Sequence, residues 1–278
     1  MDVDGPDPKQ GVSTLLGILD LPRGVREIRM SDPAGRNALD ASMRGAMSRA
    51  MAAASLDPKV RAVVISSASK NFSVGGDLAT LRQLQPGQAS HARMTAVADL
   101  VRLLGGGSKP SVAAVTGHCV GAGAGLALLC DTIIMGRSSS VGFPFLKVGL
   151  VPDFGICYTL ARRIGPSAAR QALLYAKTFS AEDALKVGLV DEVVADGEVR
   201  GLAVEAASKL ASMPAYALAQ VRQMLRQNGG SLDSCVEAEA LHQALCFGSA
   251  DLKEGIDAFL SKRAANFVAA GYSTGSTE

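Results

Sequence analysis

The sequence of 278 residues contains no tryptophan, and aromatic residues make up only 4% of it. Nucleic-acid binding of the single-stranded kind needs aromatic platforms beside a basic groove, so no nucleic-acid partner is expected. A dominant charge is also missing: 28 basic residues stand against 26 acidic ones, for a net charge of +2. Any basic site must therefore be local and suited to a small anionic group. Long apolar runs are lacking too, because Gly, Lys, Arg or Asp interrupts each one before it reaches the length of a membrane span. The first residues, MDVDGPDPKQ, are acidic and lack the basic start and apolar core of a signal peptide. A cytoplasmic protein that spans no membrane is the expectation. Cysteine is present but without pattern: Cys119, Cys130, Cys157, Cys235 and Cys246 show neither paired metal-ligand spacing nor the density of a disulfide scaffold. Buried free thiols and no metal site are expected.

What is there is a globular chain with 48% hydrophobic residues, long enough to bury a substantial core. The runs VREIRMSD (25–32) and VRAVVISS (60–67) are rich in β-branched residues, and SMRGAMSRAMAAASLD between them has apolar positions at helical spacing. This β-α-β rhythm continues through MTAVADLVRLL, SVAAVTG, GLALLCD and TIIMG. Such alternation predicts an α/β fold with a parallel-type sheet covered by helices. From about residue 165 onward the pattern is helical, in PSAARQALLYA, AEDALKVG, AYALAQVRQMLRQ, CVEAEALHQALCF and KEGIDAFLSKRAAN. Residues 11–200 are expected to form the α/β core and 201–267 a helical region, with flexible tails at 1–10 and 268–278.

Two segments are built for close backbone approach. NFSVGGDL (71–78) follows a strand, and TGHCVGAGAGLALLCD (116–131) opens a helix directly after another. Small residues at such turns leave first-turn N–H groups uncovered, so that an anion or a polarised carbonyl oxygen can reach them. Tight helix packing is the plainer use of the same glycines. Two N–H donors from separate loops aimed at one oxygen would instead stabilise an oxyanion. Between these segments and the helical region lies GLVPDFG (149–155), where Asp153 is the one acid in an apolar stretch. A cap on the following helix is the common use of such a residue. Asp77 fits a cap on the short helix after it, and His91 and His242 lie in partly polar helical stretches where solvated side chains are expected.

These segments, in order, resemble the crotonase superfamily, also called the enoyl-CoA hydratase/isomerase family. The likeness runs from about Arg26 to Phe267 and is carried by NALD (37–40), NFSVGGDL, KPSVAAVTGHCVGAGAGLALLCD, FLKVGLVPDFG, SAEDALKVGLVDEVV (180–194) and FLSKRAANF (259–267). It implies a crotonase-like spiral of ββα units with a helical C-terminal trimerisation region, assembled as a homotrimer or hexamer. It also implies an acyl-CoA thioester as substrate, with no cofactor beyond that coenzyme A. The thioester oxygen would sit in an oxyanion hole at the backbone N–H groups of Gly76 and Ala122. Coenzyme A would meet Arg36, Phe259 and Lys262, the last two from a neighbouring subunit. Phe143, Phe145, Leu150, Val151 and His118 would line the acyl pocket, and 82–92 would form a lid over it.

The departures from the family pattern are informative. Hydratases resemble one another in two glutamates, and the matching positions here are Gly125 and Phe145. Addition of water asks for a base and an acid, which those carboxylates supply, so ordinary hydration is not expected. Asp153 matches the acid of the enoyl-CoA isomerases, and its GLVPDFG setting is similar to that of the ring-opening isomerases of phenylacetate breakdown. One carboxylate then shifts a double bond by proton transfer, and an apolar setting would raise its proton affinity. Aryl-CoA dehalogenases also place Asp here, but the position of their histidine is Ala98 and that of their tryptophan is Phe145. A non-catalytic member that binds acyl-CoA or RNA is the rival of another class.

Overall fold

The computed structural model describes residues 15–227 and 230–270. Its centre is a six-stranded sheet in the order β1 (Leu16–Leu21), β2 (Val25–Met30), β3 (Ala62–Ser67), β4 (Ser111–Val115), β6 (Thr132–Gly136) and β9 (Glu192–Val194). Only the β1–β2 hairpin is antiparallel, and every later pair is parallel. A second sheet of three short strands joins β5 (His118–Val120), β7 (Ser140–Gly142) and β8 (Thr178–Ser180). The chain thus steps from the large sheet to the small one and back, the ββα alternation that the family resemblance implies.

The central parallel strands β3 and β4 are buried on both faces, which is why they read as continuous apolar runs. Val63 and Ile65 of β3 point into one core, where helices α1 (Ala41–Leu56) and α3 (Gln88–Gly106) contribute Met43, Met47, Met51, Leu100 and Leu104. Ala62 and Val64 point the other way, onto helix α7 (Val199–Ser212). That helix meets the sheet through Val199, Ala203, Ala207 and Ala211, one residue per turn, and alanine at each step lets it lie close. It straddles the boundary expected at residue 200.

The remaining helices are α2 (Leu78–Gln83), α4 (Ala122–Leu128), α5 (Ile156–Leu174), α6 (Ala181–Lys186), α8 (Ala215–Gln227), α9 (Leu232–Phe247), α10 (Ala250–Leu260) and α11 (Phe267–Ala270). Helices α8, α9 and α10 pack on one another and leave Leu241, Leu245, Phe247, Phe259 and Leu260 exposed on the single chain. Among the described residues no helix is long and apolar enough to cross a membrane.

Several expectations need correction. The strand β1 is absent from the sequence reading, because its alternation is short and mixed. Residues 268–270 are not tail but the last residues of α11, while 1–10 and 271–278 lie outside the described residues. His242 is not solvated: it is buried between α9 and α8, with its Nδ1 paired to the Gln220 side chain. Burial of the thiols holds for Cys119 and Cys130 only, since Cys157 is exposed and Cys235 and Cys246 are half-buried. Burial pushes the Cys130 thiol up to about 12, which makes it inert at neutral pH.

The sheet also buries one charge. Glu27 of β2 is fully buried, accepts from Ser66 Oγ at 2.6 Å, and is bridged by Arg200 Nη2 at 2.6 Å. Burial alone would raise its pKa, but the bonds from Arg200 and Ser66 hold it below the ordinary value. The stability this pair contributes is complete above the ordinary glutamate value of 4.5 and is lost as pH falls through the lower folded value. Arg200→Leu should leave Glu27 buried and unpaired and cost about 2–4 kcal/mol in denaturant titration at pH 7. The loss should shrink toward pH 3, where Glu27 takes up a proton in the variant.

Candidate active site

Three loops from distant parts of the chain meet at one end of the two sheets. Asn37, fully buried and at φ +47°, ties them together. Its Nδ2 donates to Ser67 Oγ at 2.8 Å, Asn71 O at 2.9 Å and Phe72 O at 3.1 Å, while its Oδ1 accepts from the Asp32 N–H at 3.0 Å. Ser73 Oγ donates to Asn37 O at 2.7 Å, and the Leu39 N–H to Gly75 O at 2.8 Å. On its other side the 71–76 loop pairs with β5. The Ser73 N–H donates to His118 O at 3.0 Å, and the Val120 N–H to Ser73 O at 2.9 Å.

This lacing brings Gly75 against the start of α4. A Cβ on Gly75 would lie 2.6 Å from Val120 O and 3.3 Å from Ala122 N, and its φ is +89°. Only glycine allows that approach. The consequence is that Gly76 and Ala122, predicted separately, stand beside each other. Helix α4 begins without a side-chain cap, so its first N–H groups have no partner inside the helix. Among the described residues neither the Gly76 nor the Ala122 N–H donates to a protein group.

Asp153 lies in the loop before α5. It does not cap that helix: the cap position is Gly155, which has no side-chain bond, and Asp153 serves the helix only through its backbone O, which accepts from the Ile156 N–H at 3.1 Å. Its Oδ1 is buried and has no hydrogen-bond partner. Desolvation raises its pKa above the ordinary 3.8, opposed by the nearby positive charges of Arg93 and Arg44 and by its own backbone N–H. A carboxylate held this way is a stronger base than a solvated aspartate.

Gly125 shows why the first family glutamate has no place here. A Cβ at Gly125 would stand 2.4 Å from Phe154 Cβ and 3.1 Å from Ile156. Phe154, at φ +51° and buried, fills that space next to Asp153. Phe145, at the second glutamate position, is buried with its ring tip 3.9 Å from where a Cβ on Gly121 would sit.

Other predicted lining residues divide. Phe143 is fully buried and packs edge-to-face on Phe179 with ring centroids 6.4 Å apart, so it is core rather than pocket wall. Its N–H is bound to Lys177 O where β7 ends, which turns the ring inward. Leu150 and Val151 are exposed, Val151 at 79%, and in the single chain they enclose nothing. His118 is exposed and bonds through Nδ1 to Ser140 Oγ at 3.0 Å, with no polar contact to Asp153. The expected lid is mostly helix: Arg82 and Gln83 close α2, and residues 88–92 open α3. Asp77 caps α2 as expected, accepting from the Thr80 N–H at 3.0 Å, which lowers its pKa. Of the predicted coenzyme-binding residues, Arg36 is exposed near Asp77, while Phe259 and Lys262 are exposed at the end of α10. No polar contact joins Arg36 to Lys262 among the described residues.

Sequence reasoning missed Asn37 as the hub, and Arg44 and Arg93 as neighbours of Asp153. Asn37 sits in the quoted NALD segment, and an asparagine, tolerant of positive φ, was a usable signal. Nothing in the helical spacing of Arg44 or Arg93 distinguishes either from a solvated arginine.

An α/β fold that, among the described residues, leaves the Gly76 and Ala122 N–H groups without a protein partner and an aspartate partly desolvated has the parts of an enzyme. The model of the family described as enoyl-CoA hydratase/isomerase matches residues 20–270, and the chain belongs to that family, the crotonase superfamily. A crotonyl-CoA hydratase of Syntrophomonas wolfei subsp. wolfei is 32% identical over 90% of this chain and 97% of its own. A 1,2-epoxyphenylacetyl-CoA isomerase of Escherichia coli is 31% identical over 88% of this chain and 95% of its own. A crystal structure of an enoyl-CoA hydratase/isomerase family protein from Mycobacterium abscessus superposes with a TM-score of 0.83 at 36% identity, covering 91% of this chain and 98% of that one.

Replacing Gly125 by glutamate should fail to install a working carboxylate. The new Cβ must displace Phe154 and the loop that carries Asp153, so Gly125→Ala alone should cost about 1–3 kcal/mol in thermal or urea unfolding. Pairing it with Phe154→Gly, which removes the clashing Cβ and tolerates the left-handed backbone, should recover part of that loss. Equal stability of Gly125→Ala and the parent would show that the loop yields freely.

Proposed function

We propose that the protein is an enoyl-CoA isomerase that moves a double bond from the 3,4 to the 2,3 position of an acyl-CoA. One observation carries the reading: a half-buried carboxylate at Asp153 that caps no helix and whose buried Oδ1 has no hydrogen-bond partner, with both family glutamate positions taken up by Gly125 and Phe145. Hydration needs a carboxylate to activate water and a second acid at carbon. A double-bond shift needs a single group that takes a proton from C2 and returns it at C4. Asp153 is assigned that role, with the Gly76 and Ala122 N–H groups holding the dienolate oxygen. Desolvation fits Asp153 to it by raising its basicity.

Within the same reading, Arg36 and, from a neighbouring subunit, Phe259 and Lys262 contact the coenzyme A. The exposed apolar residues of α9 and α10 are the surface that a trimer or hexamer would cover. A cytoplasmic location accords with the absence of a membrane-spanning helix among the described residues. The two relatives, one named hydratase and one named isomerase, support the family chemistry of a thioester enolate without deciding between the outcomes.

Asp153→Asn decides. It keeps the shape of the side chain, and turnover of a 3-enoyl-CoA should fall by roughly two to four orders of magnitude, the usual share of a positioned base. The folded carboxyl has a raised pKa, so its contribution to stability is present at low pH and lost as pH rises through that value. The asparagine variant should therefore melt at or above the parent temperature at pH 7. Parent-like isomerisation by a stable Asp153→Asn, or efficient hydration of a 2-enoyl-CoA by the parent, would overturn the assignment.

A further inference from the structure

The cleft holds more positive charge than the family reading uses. Arg44, on α1, is buried, donates through Nη1 to Leu39 O at 2.6 Å, and leaves its Nε without a partner. Leu39 is the residue whose N–H holds Gly75 O, so Arg44 is fixed to the loop that carries Gly76. Arg93, on the first turns of α3, places Nη2 4.0 Å from the point where a Cβ on Gly76 would stand. Among the described residues it forms no ion pair and no hydrogen bond. Arginine rarely remains half-buried with its five donors unspent unless something that arrives later uses them.

The charged groups around the acid are few. Arg93 and Arg44 act on Asp153, Arg93 acts on Arg44, and Asp40, which caps α1, acts on Arg44 from the other side. Of the two cations Arg93 acts on Asp153 the more strongly. Arg44 is already hydrogen-bonded to Leu39 O, whereas Arg93 has no such bond among the described residues. Arg93 thus stands between the two ends of the route that negative charge must take in the proposed reaction. Before proton transfer the charge is on the Asp153 carboxylate. Once C2 gives its proton to Asp153, the carboxyl is neutral and the charge sits on the thioester oxygen at the Gly76 N–H.

We propose that Arg93 is a positioning residue whose unpaired guanidinium faces both Asp153 and the Gly76 loop and compensates the negative charge at either end of its transfer. This rests on the isomerase reading for its kinetic consequence but not for its electrostatic one. A cation held near both sites keeps the acid ionised in the resting enzyme and attracts the dienolate without having to move. Backbone N–H groups alone perform only the second task.

The test compares the full-length parent with Arg93→Gln, Arg93→Lys and the control Arg102→Gln, which removes an exposed arginine of the same helix paired with Asp99. The Asp153 carboxyl is titrated by carbon-13 NMR on aspartate-labelled protein without substrate, with Asp153→Asn identifying the signal. Removing the cation should raise the midpoint by about one pH unit, since the charged form loses its neighbour. The acid limb of kcat/KM for a 3-enoyl-CoA should move up with it, and kcat should fall roughly tenfold. Arg93→Lys should restore most of the midpoint, and Arg102→Gln should leave it in place. Arg93→Ala, the strongest helix former, carries the same expectation if the glutamine variant does not fold. An Arg93→Gln midpoint within about 0.2 units of the parent, or an Arg93→Lys variant no different from Arg93→Gln, would overturn the proposal. If the parent proves unable to isomerise, the function assigned above fails, while the titration still decides the role of Arg93.

Discussion

The arrangement depends on one close approach, that of the 73–76 loop to the turn that starts α4. Backbone pairing between Ser73 and β5 holds the two segments together, and the bare Cα of Gly75 lets Val120 O come within a distance no side chain would permit, which brings Ala122 N close as well. Asn37 supplies the other half of the constraint. Its buried amide satisfies Phe72 O and shares Asn71 O with Ser67 Oγ, and an unmet buried carbonyl costs more than the bond returns. Among the described residues the N–H groups of Gly76 and Ala122 are left without a protein partner.

Against that fixed wall, the acid side is shaped by exclusion. Phe154 takes a left-handed backbone conformation and lies where a side chain at 125 would begin. The left-handed loop and the missing carboxylate are two aspects of one packing choice, because either a side chain at 125 or this loop conformation fits, and not both. A single desolvated carboxylate is thus obtained by filling a second acid's place with hydrocarbon.

Much of this was legible in the sequence. The parallel strands announced themselves as β-branched runs, because burial on both faces removes any need for polar alternation. The glycine turns were visible because close approach leaves no substitute for glycine, and Asp153 stood out against an apolar background. What escaped had a common physical cause. The direction in which Phe143, Val151 or His118 points is set by where β7 ends and which carbonyl its neighbours meet, facts of tertiary pairing with no local signature. Whether a histidine such as His242 is solvated depends on a partner 22 residues away. Arg44 and Arg93 look like any helical arginine until the fold brings α1 and α3 to the same loop.

The electrostatics of the cleft constrain the chemistry further. Desolvation makes Asp153 more basic, and the two cations oppose that shift. Too little burial would leave a weak base, and too much would leave a protonated acid that cannot begin the proposed reaction. The balance lies between a fixed cation, Arg44, bound into the protein frame, and an uncommitted one, Arg93, on a helix that flanks the opening. Charge that passes from a carboxylate to a thioester oxygen changes the field most at the group between them. A side chain tied into a salt bridge there would resist the change, whereas Arg93, which has no ion pair among the described residues, can meet it from either side.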